Sequence, residues 1–336
     1  MPTLTSREIR LHSRPAGLPQ PDNFTLASVA LADPGPGELL VRNHYMSVDP
    51  YMRGRMRDGR SYVPPFQLGE ALTGGAVGEV LQSNHPDFAP GDFVLNHLGW
   101  REAFVSNGQG LSPIDPDLAP IQAYLGVMGM PGMTAYVGLN RIAGLKAGET
   151  LFVSGGAGAV GSVACQIGRI RGCRVVASAG SAQKVAWLRE RAGVDVAINY
   201  KEADNLTEAL AQACPDGVDV YFDNVGGEHL EAALAVLNPR GRVAVCGMIG
   251  QYNATQPTPA PRNLAQIIGK RLRLQGFIVS DHGEMQEAFR QEMAGWIAQG
   301  EMRWEETVVT GIEAAPEAFI GLFQGMNLGK MLVKLI

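Results

Sequence analysis

The sequence predicts an α/β protein, a doubly wound parallel sheet accompanied by a smaller, barrel-like β domain. Three observations lead there. Between residues 150 and 246 short apolar runs alternate with amphipathic stretches, the pattern of parallel strands joined by crossing helices. That alternation opens on a glycine-rich turn between a strand and a helix. Residues 1–127, in contrast, hold short strand-like segments divided by glycine and proline clusters.

At 336 residues the chain exceeds the usual single-domain size. With 46% hydrophobic against 18% charged residues, it carries enough apolar material for two cores. A net charge of −5 and a pI near 5.7, with no basic block, argue against nucleic acid or an anionic membrane as the main partner. The opening MPTLTSREIRLHSRPAG lacks the apolar core of a signal peptide, and no run approaches the roughly 18 apolar residues of a membrane span. A cytoplasmic protein is therefore expected. Cys165, Cys173, Cys214 and Cys246 are dispersed without a C-x-x-C pair, which indicates free thiols rather than disulfides or a zinc knuckle.

In chain order, ELLVRNHYMSV, GGAVGEVLQS and GDFVLNHLG read as strands of the first domain, separated by turn clusters at 33–37, Pro64-Pro65 and 90–92. Met56 to Phe66 has little periodicity and suggests a mobile loop over a cleft. The segment GVMGMPGMTAYVGL leads through a helix to the glycine turn. Beyond it the pattern gives a helix at 182–192, a strand at 196–199, a helix near 205–214, a strand at 218–222, a helix near 227–237 and a strand at 242–246. A further strand falls at 272–278, and a helix at about 284–299. Strand returns at Val308-Val309 and at Lys330 to Ile336, the last rejoining the first domain. The division is thus 1–127 with 311–336, and 128–310.

The stretch TLFVSGGAGAVGSVACQIGRIRGCRVVASA organises the second domain. Gly156, Gly158 and Gly161 satisfy G-x-G-x-x-G between a strand and a helix, the Rossmann dinucleotide fingerprint. Gly156 gives the tight turn, Gly158 lets the backbone approach a pyrophosphate, and Gly161 permits close helix packing. The helix start, at Ala159, Val160 and Gly161, then offers unpaired N–H groups to phosphate. An NAD site usually carries an acid about twenty positions beyond the first glycine. Here the second strand ends in Ala179, Gly180 and Ser181, with Lys184 following. A small polar turn and a cation suit a 2′-phosphate, so NADPH is the expected cofactor, although Lys184 also reads as an ordinary solvated lysine.

Parallel sheets bind ligands at the carboxyl ends of their strands. Those ends are Asp223 to Gly227, Cys246-Gly247-Met248 and Phe277-Ile278-Val279. Asn224 and the backbone at Cys246-Gly247 are placed to meet a nicotinamide ribose, and loop punctuation is the competing reading. Six histidines, His12, His44, His85, His97, His229 and His282, form no H-x-x-x-H pair and none neighbours a cysteine at ligand spacing. Each reads as a surface or hydrogen-bonded histidine, and no metal site is assigned. Without a Lewis acid, a phenol is suited to stabilise charge on a substrate oxygen and to lend a proton. The candidates are Tyr51 and Tyr252, each with packing as its alternative role.

Taken together, SVDPYMRGRM, GVMGMPGMTAYVGL, SGGAGAVGS, GS-x-x-K, YFDNVGG, CGMIGQYNAT, RLQGFIVSD and GMNLGKMLVK carry a resemblance over nearly the whole chain. It resembles the zinc-independent medium-chain dehydrogenase/reductases, in the branch of prostaglandin reductases, leukotriene hydroxydehydrogenases, plant alkenal double-bond reductases and bacterial NADPH-dependent curcumin reductases. That resemblance implies a GroES-like β-barrel catalytic domain beside the Rossmann domain. By position it implies pyrophosphate at Gly158 to Gly161, the 2′-phosphate at Lys184 and Tyr200, and the rest of NADPH along Asn224, Cys246 to Tyr252, Phe277 to Val279 and Asn327. Tyr252 and Tyr51 would face the substrate. The family's zinc enzymes carry a Cys near Asp49 and Gly-His-Glu where this chain has Leu68-Gly69-Glu70. Relatives often have alanine at Gly156, a change the turn should tolerate.

The chemistry so implied is reduction of the carbon–carbon double bond of α,β-unsaturated ketones or aldehydes, with the developing enolate stabilised by hydrogen bonds. A homodimer through the sheet edge near Leu272 to Ile278 is implied as well. An NADPH quinone reductase and a non-catalytic NADPH-binding protein are the alternatives.

Overall fold

The computed structural model describes residues 4–336. Two compact units divide the chain. One runs to Leu125 and takes in Glu306–Asn327 and Met331–Ile336, and the other comprises Gly126–Glu305 with Leu328–Lys330. The sequence places the same breaks two to five residues later, at 127/128 and 310/311.

The first unit is built from short antiparallel strands: β1 (Leu4–Leu11), β2 (Phe24–Leu31), β3 (Leu39–Ser47), β4 (Ala76–Ser83), β5 (Phe93–Asn96), β6 (Ala103–Ser106) and β7 (Ser112–Pro113), with one helical turn, α1 (Met52–Arg55). β1 and β2 form a two-stranded ribbon, Leu4 facing Leu31 and Leu11 facing Phe24. The long strand β3 is central, pairing with β4 and with β6.

The second unit contains α2 (Met130–Val137), β8 (Thr150–Val153), α3 (Ala159–Ile170), β9 (Arg174–Ala179), α4 (Ala182–Trp187), β10 (Val196–Asn199), α5 (Leu206–Ala213), β11 (Val218–Asp223), α6 (Gly227–Val236), β12 (Leu237–Val245), α7 (Gln266–Lys270), β13 (Arg273–Gly276) and α8 (Gln286–Ala298). Its sheet runs β10-β9-β8-β11-β12-β13, with every pairing parallel. The strand order reverses between β8 and β11, and in such sheets that switch point is where a dinucleotide lies. All four residues of β8 are buried, as helices on both faces require. Phe152 and Tyr221 stack across β8 and β11 at 4.9 Å and anchor the core on one face.

The chain ends in the first unit with β14 (Glu306–Thr310), α9 (Ala315–Gln324) and β15 (Lys330–Lys334), and β15 pairs antiparallel with β3. The helix α9 is absent from the sequence reading, which passes from Val309 to Lys330 without one. Its signals are present: Pro316 in the first turn and Gly325 at the end, with φ +73°. Phe319 of α9 packs edge-on against Trp100 and Phe24, so this helix closes the core of the first unit. The ribbon β1–β2 was likewise not anticipated.

The expected helix 182–192 holds ordinary geometry only to Trp187. It then widens over Leu188–Ala192 and stops at Gly193, where φ is +70°. β13 is shorter than the expected 272–278, and β12 starts earlier than 242, with its register against β11 interrupted. Among the described residues no helix is long and apolar enough to cross a membrane.

Candidate active site

The glycine turn follows β8 directly. Gly155, not Gly156, takes the left-handed backbone, with φ +60°, so the tight turn belongs one residue earlier than the motif reading places it. Gly156 is needed for another reason. A Cβ there would stand 2.8 Å from Ala177 Cβ of β9, so alanine would push strand against turn, and the expected tolerance at this position is corrected. Gly161 allows no side chain at all, because its Cβ would fall 2.3 Å from the Gly155 carbonyl oxygen.

Gly158 begins α3 in extended geometry, and no side chain caps the helix start. The N–H groups of Ala159, Val160 and Gly161 therefore lie in the first turn of a twelve-residue helix, the arrangement that receives phosphate. Gly329 completes the cradle from the other end of the sequence. Its N–H donates to Ala157 O at 2.8 Å, and its backbone bridges Gly158. Asn327 lies two residues earlier in the chain.

At the end of β9, the Ser181 hydroxyl accepts the Lys184 N–H at 3.4 Å and caps α4. Tyr200, just past β10, donates its N–H to Ala179 O. Its phenol tip reaches Gly180 so closely that a Cβ there would be 2.8 Å from the oxygen. Burial, and then the neighbouring Lys201, lower the pKa of Lys184. Two ammonium groups that repel each other beside a small turn form a corner that a phosphate dianion would relieve. Lys201 escaped the sequence reading, although its place immediately after Tyr200 was visible.

The ends of β11 and β12 are organised by buried Asp223. Its Oδ1 accepts the Tyr221 hydroxyl at 2.7 Å, the Ser154 hydroxyl at 3.3 Å, and the N–H groups of Val225 and Gly226 at 2.9 and 2.8 Å. Burial nevertheless raises its pKa, those bonds opposing the shift. Asn224 is oriented by donating Nδ2–H to Ser154 O at 2.7 Å. Cys246 and Gly247 donate their N–H groups to Asp223 O, which sets the start of the next loop.

On that loop Tyr252 turns back, and its phenol oxygen accepts the Met248 N–H at 3.3 Å. Burial raises the Tyr252 pKa, against that backbone bond and together with the charges of Cys246 and Asp223. Burial, then Asp223, pushes the Cys246 thiol up to about 12. Past β13, Phe277, Ile278 and Val279 are half-buried. The ring of Phe277 lies against Gly138, where a Cβ would be 2.9 Å from it.

Tyr51 belongs to the first unit, at the start of α1. Burial raises its pKa strongly, Asp49 adds to this, and Arg55 opposes it. Arg55 donates to Pro64 O at 3.0 Å and to Thr73 Oγ1 at 2.9 Å, with its guanidinium 4.0 Å above the Phe66 ring. The expected loop Met56 to Phe66 has both ends buried, and Arg14 fixes them by donating to Met56 O and Phe66 O at 3.1 Å. Its exposed stretch is limited to the residues between.

Among the described residues no three of His, Cys, Asp and Glu are grouped to hold a metal. His44, His85 and His282 face carboxylates. His229 departs from the expected surface or hydrogen-bonded role, being 4% exposed with Nε2 unbonded among the described residues.

Two family models match the chain, "N-terminal domain of oxidoreductase" over residues 7–114 and "Zinc-binding dehydrogenase" over residues 159–298. The chain is 44% identical to the NADPH-dependent curcumin reductase of Escherichia coli, over 96% of this chain and 95% of that one. It is 41% identical to the NADP(+)-dependent 2-alkenal reductase of Nicotiana tabacum, over 98% and 97% respectively. Among solved structures, that of CurA from Vibrio vulnificus in complex with NADPH is 43% identical and superposes with a TM-score of 0.93, covering 98% of this chain and 99% of that chain.

Proposed function

The chain belongs to the zinc-independent medium-chain dehydrogenase/reductases, and from that membership we propose that it reduces the carbon–carbon double bond of α,β-unsaturated ketones and aldehydes at the expense of NADPH. The observation that carries this is the 44% identity to a curcumin reductase, sustained over 96% of the chain. The fit to the cofactor rests on the cradle itself. Positions 156 and 161 admit no side chain, α3 starts uncapped, and Lys184 follows β9, where an NAD site would place an acid, with Lys201 following β10.

In this reading the first-turn N–H groups of α3 hold the pyrophosphate, and Lys184 with Tyr200 holds the 2′-phosphate. Asn224, Cys246, Gly247, Met248, Phe277, Ile278, Val279 and Asn327 line the remainder. NADPH, when bound, supplies the hydride to the substrate β-carbon. The electron pair of the double bond then moves toward the carbonyl oxygen as an enolate. Tyr252 meets that charge. Its raised pKa keeps it a phenol at neutral pH, and the Met248 N–H on its oxygen polarises the hydroxyl. Tyr51, also held protonated, is assigned to the substrate in the same proposal. The α-carbon takes its proton from a tyrosine or from water.

The protein is proposed to be cytoplasmic and to form a homodimer through β13, the outermost strand of the parallel sheet. Light scattering at twice the chain mass of 35.9 kDa would support the dimer. An NADPH-consumption screen over enones, enals and quinones tests the activity, with product NMR to show a saturated carbon–carbon bond and an intact carbonyl. Turnover confined to quinones, or no oxidation on any acceptor, would overturn the reading.

A further inference from the structure

His229, the third residue of α6, is the one fully buried histidine among the described residues. Nothing in the proposed reaction uses it. Burial lowers its pKa to about 4, so the ring is neutral at physiological pH. Its Nε2 has no hydrogen-bond partner among the described residues, which a purely structural position would avoid with an apolar side chain.

What the imidazole does touch is Tyr200. The two rings stand perpendicular, at 76°, with centroids 4.8 Å apart, the edge-to-face geometry aromatic pairs prefer. The phenol tip of Tyr200 packs against Gly180, whose bare Cα leaves it room: a Cβ there would be 2.8 Å from the oxygen. One ring thus touches both the turn that ends β9 and the first turn of α6. Lys201 is close enough there to lower the pKa of Lys184, after burial.

We propose that His229 is a positioning residue for recognition of the 2′-phosphate: its ring braces Tyr200 so that the phenol stays at the Gly180–Lys184 corner, and it thereby sets the preference for NADPH over NADH. This rests on the assignment of Lys184 and Tyr200 to the 2′-phosphate. A residue that merely filled space would alter stability and affect both cofactors alike, whereas a brace acts on the phosphorylated one.

Dissociation constants for NADPH and NADH are measured by calorimetry on the full chain for wild type, His229→Leu, His229→Phe and Lys184→Ala, with KM and kcat alongside. His229→Leu fills the volume without a ring. It should weaken NADPH about fivefold, the order expected for one perpendicular aromatic contact, and leave NADH within about twofold. The loss should appear in KM for NADPH rather than in kcat at saturation. His229→Phe restores the perpendicular ring and should recover most of the NADPH affinity. Unchanged NADPH binding in His229→Leu, or equal weakening of both cofactors, would overturn the brace. Should the leucine variant not fold, His229→Met makes the same comparison. Lys184→Ala separates the two layers of the argument. If it is selective for NADPH while His229→Leu is not, only the brace fails, and if it weakens both cofactors equally, the phosphate corner and the brace fall together.

Discussion

The two halves of the parallel sheet end in opposite kinds of chemistry. At the ends of β8, β9 and β10 the chain presents uncapped backbone N–H groups, glycines with no room for a side chain, and two lysines that repel each other. At the ends of β11 and β12 the titratable groups move toward their neutral forms, the pKa values of Asp223, Cys246 and Tyr252 all being raised by burial. The first half is equipped to hold an anion, where charge supplies affinity. The second is equipped to keep the Tyr252 phenol protonated, so that it can donate to a substrate oxygen as it gains charge. Affinity and chemistry should therefore separate by position along the sheet edge.

The strongest blow to the first half is Gly161→Ala. Its Cβ would sit 2.3 Å from Gly155 O and 2.9 Å from Gly155 C, all backbone that cannot swing aside. NADPH affinity should fall more than 100-fold, about 3 kcal/mol. Gly158→Ala, whose nearest protein atom would be Gly155 O at 3.3 Å, should leave the turn itself in place and weaken NADPH only through the methyl's approach to the pyrophosphate, a smaller loss. Equal effects in calorimetry would show that the turn is not a rigid cradle. In the second half, Tyr252→Phe should lower kcat on an enone about 100-fold, with NADPH binding within about twofold of wild type. A Tyr252 variant that loses cofactor affinity instead would erase the division between the halves.

Much of this division could be read before any coordinates, because parallel strands and their glycine turn are local in sequence. Val196–Asn199 was bounded to the residue, since a buried apolar run flanked by glycine and polar turns has few alternatives. The helix α9 is missed because AAPEAFIGLFQ is apolar nearly all round, with seven of the helix's ten residues buried, so its polar face is too narrow to mark a period. At the site, the residues on the motif were legible, and those that reach it from elsewhere were not. Gly329 closes on the glycine turn across more than 160 positions of sequence, His229 approaches Tyr200 from 29 positions further along the chain, and the close approach of Gly156 to Ala177 depends on how the turn packs on β9. No spacing rule carries such information.

A smaller effect distinguishes the halves by pH. His229 has an ordinary imidazole pKa of 6.5 when unfolded and about 4 in the fold. Between those values the unfolded chain binds the extra proton. Stability is therefore complete above pH 6.5 and is lost as the pH falls toward 4. At pH 5 this one residue costs about 2 kcal/mol. Urea midpoints at pH 7 and pH 5 should differ less for His229→Phe than for wild type, and an identical drop in both would show that the ring is not buried as a neutral group.

The finest test lies at Gly180, where the phosphate half is shaped by a side chain rather than by backbone. A Cβ there would lie 2.8 Å from the Tyr200 oxygen and 3.0 Å from Cζ. Only the tip of a side chain has to yield, so Gly180→Ala should cost about 1 kcal/mol, roughly a fivefold loss of NADPH with NADH little changed. Because His229 packs against the same ring, the two contacts are not independent. Once Gly180→Ala has displaced the phenol, adding His229→Leu has little left to remove, and the double variant should lose less than the product of the single losses. Strict multiplicativity in a double-mutant cycle would mean that the two residues do not act through Tyr200, and that the corner after β9 is set by its lysines alone.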